Sequence, residues 1–98
     1  MYNQIMKETR IIDGNNFSDM IGFYEEFSNK VIPEIASWWG RNLDALNDVL
    51  GGGVAAKFID GDWLLVWKNS NKSKKELERF DDIVEIIKLY KNIDLKLE

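Results

Sequence analysis

The hydrophobic and polar positions of this chain run in several distinct rhythms, and each rhythm predicts an element. Met1–Lys7 has no clear period. Thr9–Ile12 is a short strand candidate, ended by the turn residues Asp13-Gly14-Asn15-Asn16. Phe17, Met20, Ile21, Tyr24, Phe27 and Val31 then recur at three- and four-residue steps, the period of an amphipathic helix. Asn16 or Ser18 is its expected cap, and Pro33 closes it or begins the next connection. Ile32–Gly40 connects onward and carries Trp38 and Trp39, and a short helix over Leu43–Leu50 follows. Gly51, Gly52 and Gly53 are expected to stop that helix, because glycine enters the left-handed region freely. In the Gly51–Asp62 loop, Phe58 and Ile59 are expected to anchor to the core.

The second half opens with the continuous apolar run Trp63–Trp67. A strand apolar on both faces predicts a central strand covered by helices on both sides. Lys68–Glu78 has helix formers and a single leucine, which predicts a short exposed helix. Phe80–Lys91 is a second amphipathic helix with Phe80, Ile83, Val84, Ile87 and Tyr90 as its stripe. Asp81 and Asp82 suit its start, and Lys88 and Lys91 its end. Asp94–Glu98 reads as a strand with Leu95 and Leu97 facing inward and Lys96 outward. Strands alternating with helices imply right-handed crossovers and an α/β fold with a small three-stranded parallel sheet. Order 1-2-3, with Trp63–Trp67 in the middle, satisfies the burial pattern, although the period alone leaves strand order open. No repeat or linker divides residues 1–98, so one domain is expected.

The helix over Leu43–Leu50 holds the most specific chemistry. Asn42 is placed to cap it, accepting from an orphan backbone N–H one turn in. Asp44 falls in the first turn, where the helix dipole favours a carboxylate. At about 100° per residue, Leu43, Leu46 and Leu50 share one arc with Ala45 and Val49 beside them. Asp44, Asn47 and Asp48 fill the remaining arc. The two aspartates are four residues apart and project from one side, with asparagine between them and no base within the helix to relieve the repulsion. Such an arc is either an ordinary wet surface or a negatively charged docking face. The Trp38-Trp39 pair is open to two readings, core or contact surface.

Composition narrows the function classes. A net charge of −4 argues mildly for a basic partner and against nucleic acid. No cysteine or histidine is present, so the commonest nucleophile–base pairs and metal ligands are missing. Asp44 and Asp48 stand side by side on one helix and cannot flank a substrate as glycosidase carboxylates do. The Gly51–Gly53 run follows a helix and does not precede a phosphate-binding one. No enzyme activity, cofactor or metal is expected. Lys68, Lys72, Lys74 and Lys75 lack the interleaved aromatics of a nucleic-acid platform and read as a solvated helix. Met1–Arg10 has no apolar leader segment, and no run approaches the roughly 20 residues of a membrane span. A cytoplasmic location, with no membrane partner, is the expectation.

The string WWGRNLDALNDVL, Trp38–Leu50, resembles the signature segment of the barstar family, the intracellular inhibitors of barnase-like ribonucleases. Weaker similarity of hydrophobic pattern extends from about Thr9 to the end. The resemblance implies the same three-stranded parallel architecture. It also implies that Asp48 matches the acid reaching the ribonuclease's phosphate-binding site and Asp44 a second contact acid. Asn42 and Leu43 match contact positions at the helix start, and Trp38 an aromatic that packs on the enzyme from the surface, with Trp39 partly inside. The Gly51–Val54 turn, including Gly52 and Val54, matches the region just after the contact helix. The chain departs from the family's best-known member by having Asn47 in place of a tryptophan, by lacking an aromatic near Val54, and by a longer Gly51–Asp62 loop. For a further acidic contact on the last helix, the matching positions carry Lys88 and Lys91.

The implied function is a non-catalytic, cytoplasmic protein, monomeric when free, that blocks the basic cleft of an extracellular or toxic ribonuclease. The alternative is a diverged module of the same family that binds another basic protein without inhibiting a ribonuclease. Asp48→Ala should weaken binding far more than Glu26→Ala, with Glu26 expected on the exposed side of the first helix.

Overall fold

A computed structural model of the chain describes residues 8–51, 59 and 61–98. The elements run β1 (Glu8–Asp13), a 3-10 turn (Gly14–Asn16), α1 (Met20–Lys30), a second 3-10 turn (Pro33–Ile35), α2 (Leu43–Gly51), β2 (Trp63–Lys68), α3 (Ser70–Glu76), α4 (Phe80–Lys88) and β3 (Ile93–Leu97). The strands form a parallel sheet of order β1-β2-β3, as the sequence predicts. In register, Arg10, Leu65 and Leu95 lie side by side, as do Ile12, Trp67 and Leu97.

Alternation along the strands puts Ile12, Leu65, Trp63, Trp67 and Ile93 on one face, where all five are buried. Trp67 is the centre of this layer. Phe23 of α1 stacks on it at 5.3 Å, and Phe80 of α4 meets it at 5.0 Å. Its indole N–H donates to Ser73 Oγ of α3 at 3.0 Å. The opposite face carries Thr9, Ile11, Leu64, Val66, Asp94 and Lys96 in register. Thr9, Ile11, Asp94 and Lys96 are exposed there. Val66, 7% exposed, stands outside the main core cluster. The expectation of helices on both faces is therefore corrected. Val66 is flanked by Ile11 and Lys96 on the neighbouring strands, so a narrow sheet shields its own central residue.

Further expectations shift with the contacts. Asp19, not Asn16 or Ser18, caps α1, accepting from Gly22 N–H at 2.8 Å. Leu97, expected to face inward, is 42% exposed on the edge strand β3. Ile59 is buried in the core as anticipated, while Phe58 lies outside the described residues. Glu26 is buried at 8% exposure rather than solvated. Its Oε2 accepts from Asp13 N–H and from Asn16 Nδ2, both at 2.9 Å, and lies 3.7 Å from Lys30 Nζ. The Asp13 carboxylate is held below its ordinary pKa, first by the Asn15 N–H and then by the Asn69 amide. No helix among the described residues is long and apolar enough to cross a membrane.

Candidate functional site

The approach to α2 is fixed by buried anchors. Ile35, at the end of the second 3-10 turn, is fully buried, and its carbonyl accepts from Trp38 N–H at 3.1 Å. Trp39 turns inward, 7% exposed, and donates its indole N–H to Ser28 Oγ at 2.6 Å. That hydroxyl passes its own hydrogen to the Tyr24 carbonyl, also at 2.6 Å. Trp38 turns outward and is 65% exposed. The resemblance predicted this division of the pair. Arg41 then takes a left-handed φ of 54°, and its guanidinium donates to the Ala36 carbonyl at 2.6 Å. The connection thereby folds back on itself just before the helix.

Asn42 caps α2 as expected, with Oδ1 accepting from Ala45 N–H at 2.7 Å. Leu46, Val49 and Leu50 are buried, and Leu43 and Ala45 are half-buried. Asp44 and Asp48 are exposed, and among the described residues neither carboxylate has an ion-pair partner. A carboxylate pair on a capped, rigid helix is thus available to a cationic ligand.

Asn47 departs from the open polar arc. It is half-buried, and the Tyr90 hydroxyl donates to its Oδ1 and lies 3.2 Å from its backbone carbonyl. Gly51 is also reassigned. It is the last residue of the helix and does not adopt the left-handed conformation of a stop. A Cβ there would lie 2.6 Å from Tyr90 Cε1, so glycine is needed for a close approach. Gly52 and Val54 lie outside the described residues.

Helix α4 completes the surface. A groove of about 500 Å³ runs between α2 and α4, with Leu43 and Asp44 on one side and Asp82, Glu85 and Ile86 on the other. Arg79 lines it too, paired to Asp82 at 2.5 Å, and this carboxylate raises the guanidinium's pKa. The hollow continues toward α1 past Asn42 to Met20 and Tyr24, whose phenol is pushed up by burial. Leu89, 67% exposed, borders the far end. Glu85 lines this groove, and sequence reasoning did not single it out. Lys88 also lines the groove, whereas Lys91 does not. The helical period could have flagged Asp82 and Glu85 as near neighbours, but only the packing of α4 on α2 brings them to Asp44.

The arrangement offers carboxylates and apolar side chains rather than a reacting group. Ser28 and Ser73 have their hydroxyls engaged by tryptophan indoles. Among the described residues no group of three or more potential ligands could hold a metal. Lys72, from the lysine-rich helix, is half-buried and donates to the Gly14 and Phe17 carbonyls at 3.0 and 2.9 Å. It ties α3 to the β1–α1 connection.

Comparison with known proteins agrees with this picture. The profile of the family described as Barstar (barnase inhibitor) matches residues 7–94. A protein of Bacillus subtilis (strain 168) named "Putative ribonuclease inhibitor YrdF" is 35% identical over 78 residues, covering 79% of this chain and 78% of its own length. The profile match takes in every helix, all of β1 and β2 and the start of β3, and the three-stranded parallel sheet agrees with it: the chain belongs to the barstar family.

Proposed function

We propose that this protein inhibits a barnase-like ribonuclease by seating α2 in the enzyme's basic cleft. Asp48 and Asp44 would take the place of substrate phosphates, and the cleft's arginines and lysines would make charge-assisted hydrogen bonds to them instead of to RNA. Asn42 and Leu43 would sit at the edge of the contact, with Trp38 packing against the enzyme from the surface. By the family resemblance, Gly52 and Val54 would also belong to the contact. Glu85 extends the negative surface across the groove onto α4. The observation that carries this reading is the unpaired carboxylate pair on a capped helix, in a chain of the barstar family. Negative charge on the docking face would also steer a basic enzyme toward it and raise the on-rate. The protein would act in the cytoplasm as a monomer, protecting the cell that makes the ribonuclease.

A ribonuclease activity titration tests the proposal. Barnase mixed with the protein should lose activity stoichiometrically, and the complex should weaken as salt screens the charges. Asp48→Ala should raise Kd by roughly 100-fold or more, the cost of stranding a cation in a desolvated contact. Glu26 is buried and cannot serve as the control, so the exposed Glu25 takes its place. Glu25→Ala should leave inhibition unchanged. Full ribonuclease activity at excess folded protein would favour a module that binds a different basic partner.

A further inference from the structure

The polar arc of α2 is not uniformly free, and its central member is held from outside the helix. Asn47 lies between Asp44 and Asp48 in sequence and on the same side of the helix. Its Oδ1 accepts from the hydroxyl of Tyr90, which follows the C-terminal end of α4. The same hydroxyl lies 3.2 Å from the Asn47 carbonyl. The Tyr90 ring occupies the space over Gly51, four residues further on, where any side chain would collide with it. Two residue types that the helix itself does not require, asparagine at 47 and glycine at 51, are therefore both accounted for by one tyrosine.

An asparagine amide has an acceptor end and a donor end. With Oδ1 engaged by Tyr90, the end left over is the Nδ2 amine, which has no side-chain partner among the described residues. We infer that Tyr90 is a positioning residue of the docking helix: it orients Asn47 so that the helix presents an amide donor beside its two carboxylates. The matching ribonuclease surface is then an acceptor oxygen, a backbone carbonyl or side-chain amide oxygen, set beside the cationic groups that meet Asp44 and Asp48. This rests on the inhibitor reading above and adds a specificity element to it, since a partner offering only cations would leave that donor unpaired.

Two measurements separate this inference from the reading beneath it. The first uses the free protein. In Tyr90→Phe the ring still covers Gly51 but the hydroxyl is gone, and the Asn47 side-chain amide should lose order by 15N NMR relaxation. The second follows dissociation of the barnase complex for Tyr90→Phe, Asn47→Ala and the double variant, with Asp48→Ala as reference. Each single change should speed dissociation about five- to tenfold, the scale of one hydrogen bond. The double variant should be no faster than Asn47→Ala alone, because the two residues act as a unit. A general loosening of the fold would instead add to the effect of Asn47→Ala. Unchanged amide order in Tyr90→Phe, or multiplicative effects in the double variant, would overturn the inference even where Asp48→Ala abolishes inhibition. If wild type does not bind barnase, it is the inhibitor reading that fails against that enzyme. The amide order then decides the Tyr90 assignment by itself.

Discussion

Glu26 shows how far one side chain can depart from its place on a helical wheel. The period of α1 puts it away from the apolar stripe, on the expected exposed side, yet it is enclosed because β1 and the following turn deliver two donors to it. Glu26→Ala strands the Asp13 N–H and the Asn16 amide, and should cost about 1–3 kcal/mol in a urea titration, with Glu26→Gln recovering part of the loss. Its neighbour Glu25 should tolerate alanine within about 0.5 kcal/mol. The residues legible in the sequence are those whose partners are one turn away: Asn42 caps α2 through Ala45, three residues on. Asp19 escaped although Gly22 is equally near, and the others that escaped have distant partners. Glu26 meets Asn16 across 10 residues and Asn47 meets Tyr90 across 43, and neither spacing leaves a periodic trace.

At the scale of elements, sequence reasoning identified the strands and the long helices, because hydrophobic period depends on which face a segment buries; the period alone left the sheet order open, and the family resemblance supported order 1-2-3. It overestimated the cover on β2. A run apolar at every position needs both faces out of water, and in a three-stranded sheet the flanking strands supply much of that shelter themselves. Which helix faces meet each other was also not legible, so the contribution of Glu85 to the groove emerged only from packing. The contact between α4 and α2 gives a test whose sign opposes intrinsic propensity. In an open helix, replacing glycine by alanine gains up to about 1 kcal/mol. Here Gly51→Ala must push the Tyr90 ring aside and should lower Tm. In a Tyr90→Ala background the same substitution should raise Tm instead.

For the molecule as a whole, α1, α3 and α4 meet at one tryptophan, and core residues of α1 and α4, with Leu77 just after α3, join a single cluster with those of α2 and the three strands. Elements that share one core should not unfold separately, so far-ultraviolet circular dichroism and near-ultraviolet aromatic signals should report coincident urea transitions. Separated transitions would indicate that α2, with its acidic face, melts on its own. That distinction bears on inhibition, because a docking helix that is already ordered spends no binding free energy on folding.

Of the four tryptophans, Trp39, Trp63 and Trp67 are buried and Trp38 alone stands in water at the edge of the acidic helix. The protein therefore carries its own optical probe. Its emission should contain one red-shifted, acrylamide-quenchable component belonging to Trp38 and three that quencher barely reaches. Covering the α2 surface with a partner should shift that one component to the blue and protect it, while the other three stay constant until the fold opens. Association can then be followed without any label, and Trp38→Phe should silence the signal.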